Sequence, residues 1–184
     1  ILSGLVGSEM CIRDRGCRIE FASLLRKAAP MHDIGKVGIP DTILKKEGPL
    51  GPEERLVMNR HAEIGARLLG QSRIPVFQMA AEIAASHHER FDGKGYPEGL
   101  AGEEIPLSAR ITSIVDIFDA LTMDRVYRPA FGREQALEMI AAERGKALDL
   151  GIVDAFMDNI EELDALRLAL TRQAPSFTEL IDTP

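Results

Sequence analysis

The stretch Pro106–Met123, PLSARITSIVDIFDALTM, decides the fold class. A proline opens a helix without loss, because the first N–H groups of a helix have no partner within it. From Leu107 to Met123 the chain reads as one helix. Asp116 and Asp119 lie one turn apart on it. Ile114, Val115, Ile117 and Phe118 surround them, which marks the helix as buried. Buried carboxylates need partners, and a metal ion would supply one.

Working outward from these carboxylates, all four histidines of the chain fall into one pattern. His32 is followed directly by Asp33, then come His61 and the adjacent pair His87 and His88. Imidazole and carboxylate are ligands suited to Fe, Mn and Zn. One histidine on an apolar face is usually an ordinary core residue. Six potential ligands spread over four separate helices point instead to a metal-dependent hydrolase.

The remaining pattern is also helical. Ile19 to Met31 reads as a helix that Pro30 kinks. Gly35 to Pro52 is punctuated by glycine and proline and reads as a loop, with a short helical turn at Thr42–Lys46. Pro52 opens a helix running through His61 to Gly70, with Glu53 and Glu54 in its first turn. Another spans Val76 to about Glu89, with His87 and His88 near its end. RFDGKGYPEGLAGEEIP follows as a glycine-rich loop. Helices over Arg133–Arg144 and Ile152–Leu170 complete an all-α bundle with no strand-period segment and no internal repeat.

Composition agrees. The 184 residues suit one domain, and 45% are hydrophobic against 28% charged. With seven Phe, two Tyr and no Trp, the core must rest on Leu, Ile, Ala, Val and Met. The net charge of −7 and the lack of a basic run exclude a nucleic-acid polymer as the expected partner. Cys11 and Cys17 form no disulfide framework, so a reducing cytoplasm is expected. No apolar stretch approaches the ~20 residues that span a bilayer. Residues 1–16, ILSGLVGSEMCIRDRG, lack a period and read as a non-family segment of artefactual origin. Residues 17–172 then form the domain and 173–184 a flexible tail.

Four motifs, HDIGKVGIPD (His32 to Asp41), NRHAEIG around His61, HHERFDGKGYP (His87 to Pro97) and DIFDALTMDRVYRP (Asp116 to Pro129), closely resemble the HD-GYP family. The family comprises bacterial HD-superfamily phosphodiesterases that hydrolyse the second messenger cyclic di-GMP. The resemblance covers roughly Ile19 to Leu163. It implies the helical bundle of the HD superfamily, with about six or seven helices. It implies metal ligation by His32, Asp33, His61, His87, His88 and Asp116, with Asp33 bridging two metals. Some members hold three, and the metal is commonly iron or manganese. Lys36 would meet a substrate phosphate and help with proton transfer. Asp119 would handle water, and Arg125 and Arg128 would contact the dinucleotide. Gly95, Tyr96 and Pro97 would border the cleft. The catalytic set is then Asp33, Lys36 and Asp119.

The residues alone leave plainer readings open. Lys36 could be a solvated lysine, Arg125 could pair with Asp124 or Glu134 at the surface, and Gly93, Gly95 and Gly99 could serve only tight turns. The family also supplies a histidine, and often a glutamate, about thirty residues upstream of His32. No histidine precedes His32 here. Three functions follow as expectations. The first is hydrolysis of cyclic di-GMP to pGpG or GMP. The second is an HD-type hydrolase of another cyclic dinucleotide or nucleotide. The third is a catalytically silent module that binds a dinucleotide or partner. A receiver or sensor domain would regulate the parent protein.

Overall fold

The computed structural model describes residues 19–124 and 129–173. Residues 1–16, expected as a non-family segment, both cysteines, Arg125, Arg128 and nearly all of the expected 173–184 tail lie outside them. The helices are α1 (Ile19–Ala28), α2 (Asp41–Leu44), α3 (Pro52–Asn59), α4 (His61–Gly70), α5 (Pro75–Ser86), α6 (Leu107–Thr122), α7 (Arg133–Ala142), α8 (Leu150–Asp158) and α9 (Ile160–Gln173). Short 3-10 turns cover Ala29–Met31, Ile34–Gly38 and Gly102–Glu104. Among the described residues there are only two isolated β-bridges, so the all-α expectation holds.

Helix α5 is the hub. α4, α1 and α6 all pack against it, and α6 carries α7 and α8. The contacts explain the sequence pattern. Leu25 and Ala28 of α1 meet Ala80 and Ile83 of α5 in a common core with Ile111, Ile114 and Phe118 of α6. Ile140, Val153 and Phe156 extend that core, and Phe118 meets Phe156 edge to face at 5.3 Å. Each large side chain buried here contributes roughly 1.5–3 kcal/mol.

Two expected helices are each split in two. The Pro52–Gly70 helix breaks at Arg60. There the His61 ring nitrogen Nδ1 bonds the Met58 carbonyl at 2.8 Å, and the Arg60 amide takes Val57. His61 therefore begins α4 instead of sitting in mid-helix. The second break is at Asn159, whose side-chain amide donates to the Ala155 carbonyl at 2.9 Å. Asparagine competes in this way with the backbone ladder. The expected kink at Pro30 is observed, as α1 gives way to the Ala29–Met31 turn.

Three small residues permit a close approach between elements. Gly35, in the turn after Asp33, sits where a Cβ would fall on the His61 carbonyl. Across from it, a Cβ at Gly65 would lie 3.2 Å from both the Gly35 amide and Ala84 Cβ. The loop bearing His32 and Asp33 is thereby pressed onto α4 and α5. On the far side Arg110 of α6 donates to Asp149 at 2.6 Å, and both are largely buried. Asp149 also accepts from the Gly151 and Ile152 amides at the start of α8.

Candidate metal centre

His32 lies at the end of the Ala29–Met31 turn, and His61 opens α4. His87 caps α5, and His88 follows it. Three imidazoles are fixed from behind by backbone carbonyls. His32 Nδ1 bonds Ala29 at 2.8 Å, His61 Nδ1 bonds Met58 at 2.8 Å, and His87 Nδ1 bonds Ile83 at 3.0 Å. In His61 and His87, with the proton held on Nδ1, the lone pair of Nε2 faces inward, the arrangement that metal-binding histidines use.

The inward face converges on Asp33. Its Oδ1 is 3.4 Å from His61 Nε2 and 3.9 Å from His87 Nε2. Its Oδ2 is 3.4 Å from His32 Nε2 and 2.5 Å from Lys36 Nζ. His32 Nε2 is also 3.6 Å from Asp116 Oδ1. The two oxygens of one carboxylate thus face two different sets of groups. Among the described residues, donor atoms of Asp33, His61, His87 and His88 all lie within 4.8 Å of one another. His32 and Asp116 stand beside this group on the Oδ2 side.

The set suits a divalent ion. Asp33 Oδ1, His61 Nε2 and His87 Nε2 are buried and have no hydrogen-bond partner. Leaving three such atoms unpaired would be costly, and one cation would satisfy them together. Donors each ~2.1 Å from an ion stand no more than ~4.2 Å apart, so only a slight contraction is needed.

The electrostatics divide the site. Burial lowers the pKa of His87 to about 4, helped by the charge on His32. Burial lowers His88 to about 3, with His87 and His61 adding to it. Burial also lowers His61. These rings are neutral near pH 7 and ready to donate. For His32 burial opposes the charge, but hydrogen bonds and charges from Asp116 and Asp33 outweigh it and raise the pKa to about 10. Asp33 responds in the opposite sense. Burial would raise it, and His32 and Lys36 hold it well below the usual carboxylate range.

Other expected site residues are placed as follows. Lys36 is paired with Asp33 and is about two-fifths exposed. Asp119 is buried on α6 one turn beyond Asp116 and is not part of the four-residue donor group. Tyr96 lies against His88, with ring centroids 4.8 Å apart and planes at 25°. Burial raises its phenol pKa. Gly95 packs where a Cβ would strike the Glu89 and Arg90 backbone, and the Tyr96–Pro97 bond is cis. Gly93 and Gly99 have φ of 74° and 70°, so the turn requirement expected of them is real. One residue went unnoticed in the sequence. Glu89 is only 4% exposed and accepts from the Glu98 and Gly99 amides. Its position after two histidines was the only sign of it.

A family model described as an HD domain matches residues 7–152. The chain belongs to the HD-domain family. Within that family its relatives are HD-GYP proteins, as the four motifs implied. It is 42% identical to the cyclic di-GMP phosphodiesterase response regulator RpfG of Xanthomonas campestris, over 90% of this chain and 42% of that protein. It is also 42% identical to the 3′3′-cGAMP-specific phosphodiesterase 2 of Vibrio cholerae, over 81% of this chain and 28% of that protein. The HD-domain chain therefore spans less than half the length of these relatives. An HDG“Y”P protein from Bdellovibrio bacteriovorus shares the fold at TM-score 0.64 and 19% identity, over 87% of this chain and 51% of that one.

Proposed function

We propose that this HD-GYP chain is the core of a metal-dependent phosphodiesterase that hydrolyses cyclic di-GMP to pGpG, GMP or both. The observation that carries the reading is Asp33. Its two oxygens face separate sets of groups, and its Oδ1 and two of the imidazoles are buried without partners. The names of the 42% identical relatives supply the substrate class.

In this reading His32, Asp33, His61, His87, His88 and Asp116 hold two divalent ions, or three as in some family members, iron or manganese. Bound ions supply Lewis acidity and a water of lowered pKa. Asp33 would be the carboxylate shared by the two sets of groups, and the carbonyl-anchored rings of His32, His61 and His87 would keep their geometry. The Lys36 ammonium, beside Asp33, would steady the charge on the phosphoryl oxygens. Water oxygen bonds to phosphorus as the P–O3′ bond breaks, and the leaving oxygen takes a proton that Lys36 helps deliver. Asp119 orders water, Arg125 and Arg128 hold the dinucleotide, and Gly95, Tyr96 and Pro97 wall the cleft. The protein acts in the cytoplasm under a receiver or sensor domain of the parent protein. Among the described residues no helix is long and apolar enough to cross a membrane.

The test is turnover. Protein loaded with manganese or iron is incubated with cyclic di-GMP and products are separated by chromatography. No pGpG or GMP above an Asp33→Ala control would sink the proposal. The relative of Vibrio cholerae favours 3′3′-cGAMP as a second reading. A higher kcat/KM for 3′3′-cGAMP in the same assay would establish it over cyclic di-GMP.

A further inference from the structure

The loop from His88 to Ile105 is fastened at two points with different chemistry. Its first part is held by the main chain, since the Phe91 and Asp92 amides donate to Ala147 and Lys146 at 3.0 and 2.8 Å. Arg90 adds a two-pronged pair to Asp92 at 3.1 and 3.0 Å. None of these contacts reaches residues 95–99. That part is tied by the Glu89 side chain as well as by a main-chain bond from Tyr96. Glu89 Oε1 accepts from the Glu98 amide at 2.7 Å and from the Gly99 amide at 3.1 Å.

Glu89 is buried, so its carboxylate is in the loop's interior and not a solvated surface charge. Charge-assisted bonds from backbone amides are stronger than neutral ones. Gly95 supplies an independent sign of the same closure. Its α-carbon lies so near the Glu89 backbone that no side chain fits between them. The Tyr96 amide also donates to the His88 carbonyl at 3.3 Å. Folding the loop back in this way lays the Tyr96 ring on the His88 ring, which belongs to the donor group.

We propose that Glu89 is a positioning residue for the substrate cleft, clamping the 95–99 turn through two amides and so fixing Tyr96 against His88. The role of the cleft rests on the phosphodiesterase reading above. Glu89 is not in the donor group of the metal centre; it acts through the loop. Only one of its oxygens makes the two bonds, so the acceptor matters and the charge adds to it. A glutamine carbonyl can accept from the same amides.

The test uses the full chain loaded with manganese, in wild-type form and as Glu89→Ala, Glu89→Asp, Glu89→Gln, Tyr96→Ala and the Glu89→Ala/Tyr96→Ala double variant. Hydrogen exchange of the Gly95, Tyr96, Glu98 and Gly99 amides is measured together with metal content, KM and kcat for cyclic di-GMP. E89A is expected to raise KM about tenfold, the scale of one lost charge-assisted bond, and to speed exchange at 95–99 by a similar factor. Metal content and kcat stay near wild type. E89D, which keeps the charge and withdraws the acceptor by one carbon, behaves alike and carries the test should E89A fail to fold. E89Q returns KM to within about threefold of wild type, because the acceptor is restored. The double variant is no worse than the poorer single one, since coupled residues do not add. E89Q as impaired as E89A, additive losses in the double variant, or unchanged 95–99 exchange in both E89A and E89D would overturn the proposal. Absence of turnover in the wild-type chain would count against the phosphodiesterase reading alone, and the exchange results would still decide the role of Glu89.

Discussion

The two walls of the site are built differently. On the wall formed by the Ile34–Gly38 turn, α4 and α5, imidazoles are pinned by backbone carbonyls and elements meet through Gly35, Gly65 and Ala84. On the other wall the 88–105 loop combines main-chain bonds with side-chain ties, carboxylates reaching amides and a guanidinium group. The first wall has little slack, because its elements meet through small residues and a single added carbon collides. The second has more, because part of its fastening is side-chain ties that can lengthen or be replaced. A site of this kind fixes its donor atoms rigidly and leaves the substrate side open to change.

The largest effect expected from breaking the first wall is at Asp33. Asp33→Ala removes the one carboxylate common to both sets of groups. Metal content should fall below one ion per chain by elemental analysis, and turnover should drop about 1000-fold or more. Retention of two ions would show that the walls do not depend on that bridge. Gly35→Ala comes next. The added Cβ falls on the His61 carbonyl, and such overpacking costs about 3 kcal/mol. Urea unfolding reads the loss directly, and a change under ~1 kcal/mol would mean that the first wall has slack after all.

Chelation has a smaller effect. Stripping metal should lower the unfolding midpoint, by an amount equivalent to ~2.7 kcal/mol at a free ion concentration 100 times its Kd. An unchanged midpoint would argue that His61 and His87 need no cation. The smallest change belongs to the second wall. Arg90→Ala breaks a pair in which the arginine is 37% exposed. The pair is screened by solvent, so stability should shift by less than ~1 kcal/mol with metal content unaltered. A loss as large as that of Gly35→Ala would erase the contrast between the walls.

Much of this was legible before the structure. Helical periodicity gave the bundle, and the His-Asp and His-His pairs marked side chains that the structure brings together with His61. Asp116 was readable from its apolar neighbours. The breaks at Arg60 and Asn159 were not, since each depends on a side chain taking a main-chain carbonyl, which residue spacing does not encode. Glu89 was hidden for a related reason. Its burial exists only once residues 95–99 return to cover it, and nothing in HHER separates it from a solvated glutamate. The crowding at Gly35 was seen only as loop punctuation, because the partner that forbids a side chain there comes from His61, far along the chain.

Asp149 has a consequence for the site that it never touches. One of its oxygens holds the first amides of α8, and the other holds Arg110 on α6. Sliding α8 along α6 by a single turn, about 5.4 Å, would forfeit both attachments together. The pair therefore acts as an axial stop. Asp116 rides on the same helix about 9 Å further along its axis, so the stop fixes α8 against the helix that carries this carboxylate.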